Sequence, residues 1–252
     1  MMKWFVICLA CMVSTFCNAQ KTNEYKLQEK VFRSGLKYND LNVAKQALYN
    51  MMAIDESATN LLDSLAVLYY KSNDPINCLL VCNDIISRSP SNMMILEIKA
   101  ITEQNIGLLK EALSDYEKLQ SSSQEEHHSY QIAAIQYQLK RFGECESTIN
   151  SLLLSPKVDE KIVNISLNER SQQEVPMKAA LYNMKGVLYL DLARKTEAKL
   201  MFQEALKLMP DFQLPKGNLA AMEQQEKQES VEIVIEKEVE EIEETKSKKR
   251  KK

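Results

Sequence analysis

The sequence predicts an all-α solenoid of stacked antiparallel helix pairs, interrupted once by a small β-hairpin. Three observations carry this expectation. Small residues recur at Ala44, Cys78, Ala112, Cys145 and Ala198, spaced 34, 34, 33 and 53 residues apart within helical patterns. The 252 residues are 45% hydrophobic with 5 Gly and 6 Pro, a composition suited to a helix-rich body. Pro90, Pro156 and Pro210 fall near the ends of the repeating units, where a residue that cannot continue a helix sets the stop.

Residues 1–19 stand apart from the repeats. Lys3 precedes an apolar run from Trp4 to Phe16, and Cys17-Asn18-Ala19 places small residues third from last and last before a cleavage point. This pattern is a secretory signal peptide, cleaved after Ala19 to leave Gln20 as the new terminus. The run is shorter than the roughly 20 apolar residues a membrane span needs, which argues against an uncleaved anchor. Bulky Phe16 argues against a lipoprotein attached at Cys17. The mature chain is therefore expected to be exported, to the periplasm first and the cell exterior second, with no membrane span.

Four copies are expected over residues 20–158. The first, about Tyr25–Ala58, has Ala44 and Leu48, but Phe32 where a small residue is preferred and no closing Pro. A terminal unit has a neighbour on one side only, so such departures are expected there. The second, Thr59–Asn92, carries Leu62, Ala66, Tyr69, Cys78, Cys82 and Pro90. The third, Met93–Gln124, carries Ala100, Gly107, Ala112 and Tyr116. The fourth, about Glu126–Val158, carries Ala133, Tyr137, Phe142, Cys145 and Ile149, with Pro156 one place early.

The fifth copy, Ala179–Pro210, is the clearest. Tyr182, Gly186, Tyr189, Ala198, Phe202, Ala205 and Pro210 fit the order aromatic, Gly, Tyr, Ala, Phe, Ala and closing Pro. Gly186 and Ala198 are small because the two helices of the unit approach closely there, and a larger side chain would overpack the contact by roughly 1–3 kcal/mol. Lys185 stands where an apolar residue is usual. With these residues and the period near 34, the chain resembles the tetratricopeptide-repeat family over about Tyr25 to Gln225. The resemblance implies a right-handed superhelix of helix pairs.

The gap of 53 holds an insert over residues 159–178. Ile162, Val163, Ile165 and Leu167 form a β-branched, strand-like run, Asn168–Ser171 a polar turn and Gln173–Val175 a short return strand. A β-hairpin projecting from the solenoid is expected. An isolated one is marginal in water, so it must lean on the helices or on a partner. Asn164-Ile165-Ser166 is also a glycosylation acceptor pattern, relevant only in a eukaryotic secretory pathway. After copy five, Pro215, Leu219 and Met222 mark an amphipathic helix that covers the last repeat's apolar edge, so residues 179–228 comprise copy five and its cap. Residues 229–252 are an acidic stretch followed by six basic residues in Lys246–Lys252. Such opposite charge blocks read as a solvated tail, disordered or a frayed helix, or as an interaction tail whose basic end touches an acidic surface weakly.

Charge and residue types exclude several function classes. The formal net charge is −3, and removing residues 1–19, which hold one lysine and no acid, makes it −4. That is no footprint for nucleic acid. Of six cysteines, three remain after the leader: Cys78, Cys82 and Cys145. They read as buried residues at the repeat's small and aromatic positions. The sharper reading, a Cys78–Cys82 redox pair, suffers from poor disulfide geometry four residues apart on one helix. The two histidines, His127 and His128, are adjacent and face different directions on a helix. No phosphate loop, nucleophile elbow or zinc spacing occurs, so no catalytic residue, metal or cofactor is expected.

The resemblance implies that a peptide or protein partner lies in the concave groove, held mainly by residues of the first helix of each pair. The inward positions it marks include Arg33, Lys37, Tyr70, Lys71, Gln104, Tyr130, Tyr137 and Asn183. For each Tyr, helix packing is the competing explanation. The family's carboxylate-clamp specificity is not transferred, because Glu29 and Arg33 occupy the places where Lys and Asn are needed. The expected function is an exported, non-enzymatic protein-interaction scaffold. The alternative is an assembly subunit docked into an envelope complex through its insert and charged tail.

Overall fold

The computed structural model describes residues 22–168 and 171–228. The expected leader, the expected polar turn at 169–170 and the charged stretch at 229–252 lie outside the described residues. Among these, the chain forms helices α1 (22–37), α2 (Leu41–Ile54), α3 (Leu61–Lys71), α4 (Pro75–Arg88), α5 (Met93–Asn105) and α6 (Leu109–Ser123) in a first compact unit that ends at Gln124. The second unit, from Glu125, contains α7 (Glu126–Gln138), α8 (Phe142–Leu154), a short 3-10 helix (Pro156–Glu160), strands β1 (Ile162–Asn168) and β2 (Ser171–Pro176), then α9 (Met177–Asp191), α10 (Lys195–Leu208) and α11 (213–228). Within each unit, helices adjacent in sequence pack on one another, and α3 meets α5 as α7 meets α9.

Five tight turns reverse the chain inside the pairs, and all use one backbone device. Asn39, Asn73, Gly107, Lys140 and Ala193 have φ of 55°, 52°, 82°, 58° and 58°. Their spacing of 34, 34, 33 and 53 repeats that of the small residues. The N–H that follows each one bonds to a carbonyl five residues back, as in Asp40 N to Gly35 O at 2.8 Å and Arg194 N to Tyr189 O at 2.8 Å. This is the left-handed helix stop that satisfies last-turn carbonyls. Asn and Gly adopt it readily, whereas a residue with an ordinary Cβ, as at Lys140 and Ala193, costs about 1–2 kcal/mol there. The first two turns also cap the next helix: Asp40 accepts from Val43 N and Asp74 from Asn77 N.

The small-residue positions are close helix contacts. Ala44, Cys78, Ala112, Cys145 and Ala198 are all fully buried. A Cβ on Gly186 would stand 2.5 Å from the Phe202 ring. Copy one differs from the sequence expectation in one respect. Phe32 is half-buried against the first core, and the close approach falls three residues later at Gly35, where a Cβ would meet the Ala44 backbone N at 2.8 Å. The terminal pair thus keeps the contact but shifts it by about one helical turn.

Where a strand-like run and turn were expected, two antiparallel strands pair Val163 with Val175 and Ile165 with Gln173. The hairpin lies against helices of its own unit rather than standing clear of them. Val163 and Val175 are buried in one core with Val158, Met177, Phe202 and Phe212. The Gln173 amide donates to Asp211 O at 3.0 Å and accepts from Gln213 N at 3.1 Å, tying β2 to the start of α11. Leu214, Leu219 and Met222 of α11 close the same core.

Candidate protein-binding surface

In the first unit the residues marked from sequence lie on α1, α3 and α5. Arg33 is exposed and bonds Glu29 one turn back at 2.7 Å. Lys37 is exposed, with its ammonium 5.1 Å from the Tyr38 ring centre. Tyr70 and Lys71 end α3, both exposed, and Gln104 on α5 is half-buried. Tyr70, 40% exposed, borders a cavity of about 280 Å³ together with Asn73, Asp74, Pro75, Thr102, Asn105 and Ile106. A shallow, open depression beside it shares Asp74 and includes Tyr38, Asp40, Lys45 and Ser72. The smaller cavity lies just under the size of ordinary small-molecule sites, which suits one inserted side chain of a partner.

The second unit uses its marked residues internally. Tyr130 is only 9% exposed and belongs to the core, where burial pushes its phenol up to about 12. Tyr137 is half-buried and donates to Asp191 Oδ2 at 2.6 Å, linking α7 to the end of α9. Asn183 is 9% exposed and accepts from Asn218 of α11 at 3.4 Å. Tyr130 and Asn183 therefore present little surface to a partner, Tyr137 is partly accessible, and Tyr70 is exposed.

Two tyrosines at equivalent repeat positions join successive pairs. The Tyr69 hydroxyl meets that of Tyr49 at 2.8 Å, and Lys45 sits 4.8 Å from the Tyr69 ring centre. Tyr189 donates to Glu146 at 2.6 Å, with Arg194 4.0 Å and Lys185 5.5 Å from its ring centre. Lys185, out of place by the repeat pattern, has its ammonium 2.6 Å from Asn150 Oδ1.

A buried charge cluster in the first unit went unmarked in the sequence. Lys99 on α5 pairs with Glu103 on the same helix and with Asp115 on α6, each at 2.5 Å. Lys118 adds a third link to Asp115 at 2.7 Å. Glu103 Oε2 is buried with no hydrogen-bond partner among the described residues, and burial raises the Glu103 pKa despite Lys99. Burial also pulls Asp115 upward, but its bonds from Lys118 and Lys99 outweigh this and hold it below the usual carboxylate value. The signal was the repeat phase: Lys99 occupies the position of Leu65 in copy two, and Glu103 that of Tyr69.

Cys78, Cys82 and Cys145 are fully buried free thiols. Cys78 Sγ lies 4.0 Å from Cys82 Sγ and 3.5 Å from Thr102 Oγ1. Burial pushes the Cys145 thiol up to about 12. An alkylating reagent should label all three slowly in the native protein and fully in denaturant, with Cys145 remaining slow at mildly alkaline pH. Rapid native labelling at any of the three would contradict this packing. His127 and His128 diverge as expected, one exposed and one buried.

This succession of tight antiparallel helix pairs is the tetratricopeptide-repeat fold. Among solved structures, a tetratricopeptide repeat protein from Parabacteroides merdae has 19% identity and a TM-score of 0.61, covering 77% of this chain and 70% of that one. YrrB, a tetratricopeptide protein with an unusual peptide-binding site, has 13% identity and a TM-score of 0.60 over 75% of this chain and 88% of that one. MamA from Desulfovibrio magneticus has 11% identity and a TM-score of 0.59 over 75% and 97%. No protein-family model and no curated protein matches the sequence.

Proposed function

We propose that this chain is an exported, non-enzymatic scaffold that binds a peptide or protein partner on the helix faces of its first unit. The observation that carries the reading is Tyr70, an exposed aromatic at the mouth of a side-chain-sized cavity with Lys71 beside it. Tyr offers broad apolar contact with a polar tip, which suits peptide recognition. Lys37 adds positive charge at the start of the same unit, favouring a partner with acidic groups, while Arg33 is already paired with Glu29. The peptide-binding site reported for YrrB supports the same use of the fold. Export rests on the pattern in residues 1–19. Among the described residues no helix is long and apolar enough to cross a membrane.

The test is affinity capture from the native host, with fractionation and intact-mass measurement of the captured chain. Wild type should be recovered beginning at Gln20 in an exported fraction, with a specific partner. Tyr70→Ala/Lys71→Ala should reduce that partner at least about tenfold while leaving the helical spectrum unchanged, a loss within the range of interface hot spots. Undiminished capture by the folded double variant would remove Tyr70 and Lys71 from the binding site, and a chain retaining Met1 in the cytoplasm would overturn export.

A further inference from the structure

Among the described residues this two-stranded sheet has two unpaired edges, and the hairpin treats them differently. Met177 N donates to Lys161 O at 2.8 Å, and the register pairs Ile162 with Pro176, Asn164 with Glu174 and Ser166 with Gln172. Hydrogen-bonded and non-hydrogen-bonded pairs alternate along an antiparallel ladder. Ile162, Asn164 and Ser166 therefore turn their backbone N–H and C=O groups outward on β1, as Gln172, Glu174 and Pro176 turn theirs on β2. The β2 edge carries the usual protections against pairing: Pro176 lacks an N–H and Glu174 brings a charge. The β1 edge carries neither. From Ile162 to Asn168 it has no charged residue and no Pro, and Ile162 is 64% exposed.

We propose that the β1 edge docks a second copy of this chain, whose own β1 pairs with it antiparallel across a two-fold axis at Asn164. The edge is complementary to itself. In this register Asn164 faces Asn164 of the second copy and Ile162 faces Ser166, so every outward N–H meets an outward C=O. An isologous contact of this kind closes as a dimer. No charged side chain stands on either strand, whereas the same pairing through β2 would set Glu174 opposite itself, a repulsive arrangement. Joining two hairpins makes one four-stranded sheet with one face on helices, which removes the marginal stability of two strands alone. Partner capture by the first unit does not depend on this contact, so either proposal can fail without the other.

Sedimentation of the full chain over rising concentration should show a reversible dimer. Asn164→Pro removes an outward N–H that plays no part in the β1–β2 ladder, and a residue before Pro favours the extended backbone already present. It should weaken dimerisation by about tenfold or more through the loss of the central bonds, each tenfold being about 1.4 kcal/mol. Asn164→Lys, a surface change that leaves the hairpin backbone intact, should do the same by placing like charges across the axis. Asn164→Cys brings two thiols together with Cα atoms about 5.5 Å apart, within disulfide range. With oxidised glutathione, the two thiols give up two protons and two electrons to the glutathione disulfide, leaving an interchain disulfide and two reduced glutathiones. A covalent dimer should form, and Glu174→Cys should give none. A monomer at every concentration, a dimer indifferent to Asn164→Pro and Asn164→Lys, or no Asn164→Cys cross-link would overturn the proposal. Loss of a foreign protein on Asn164→Pro, without self-association of the wild type, would instead assign the edge to that protein's extended segment and overturn the second copy.

Discussion

Phe202→Ala should destabilise the second unit by about 3–5 kcal/mol, the range for deleting a buried aromatic. Phe202 is fully buried in the core that also contains Val163 and Val175 of the hairpin and Phe212 beside α11. Its ring lies against the bare Cα of Gly186, so the converse change is informative too. Gly186→Ala would gain up to about 1 kcal/mol of helix propensity. The new Cβ would sit 2.5 to 2.9 Å from three ring atoms, and overpacking of this kind costs about 1–3 kcal/mol. The second effect wins, and Gly186→Ala should be net destabilising. Adding Phe202→Leu to Gly186→Ala should cost less than the two single losses combined, because the shorter side chain makes room for the methyl group. Guanidinium melts of the full chain, followed by helical signal and by exposure of Cys145, measure the wild type and the four variants. A Gly186→Ala variant at least as stable as the wild type would refute the close contact.

Lys99→Met should cost about 3–5 kcal/mol in the first unit, because removing one member of a buried ion pair strands the other. The loss falls mainly on Glu103, whose Oε2 already has no partner. Asp115 keeps Lys118, which tempers the total toward the lower figure. The double variant Lys99→Leu/Glu103→Tyr copies Leu65 and Tyr69 of copy two and should recover most of the loss, since an apolar replacement of the whole pair removes the stranded charge. Burial raises the folded-state pKa of Glu103, so the folded chain holds this proton to higher pH than the unfolded chain. Its contribution to stability therefore improves as pH falls toward the ordinary carboxylate range. The penalty of Lys99→Met should shrink at mildly acidic pH, where Glu103 accepts a proton, and denaturant melts at neutral and acidic pH read this directly. A penalty that grows on acidification would refute the assignment to a stranded Glu103.

Much of the architecture was legible because each unit repeats the same short-range contacts. Ala44, Cys78, Ala112, Cys145 and Ala198 are buried where a small residue was needed, and Pro156 opens the short 3-10 helix that leads into the insert. Gly35 is hidden in the sequence because it lies one turn beyond the usual small position, so a consensus frame finds Phe32 instead. The candidate surface was less legible. The family resemblance marks Tyr70 and Tyr130 alike, and exposure separates them only after neighbouring helices have packed. Tyr130 disappears into a core that includes residues far along the chain, while Tyr70 remains at the surface.

The sequence by itself determined the helix pairs, their interval, the place of the insert and the small residues at each close contact. These depend on helical period and side-chain volume within about one repeat length. Tertiary structure alone decided the polar partnerships: Lys99 with Asp115, Tyr137 with Asp191 and Gln173 with the backbone at 211–213. It also laid the hairpin on its own unit and, among the described residues, left the β1 edge unpaired. A side chain's volume is a property of the residue, but a hydrogen-bond partner is a property of what the finished fold brings within about 3 Å.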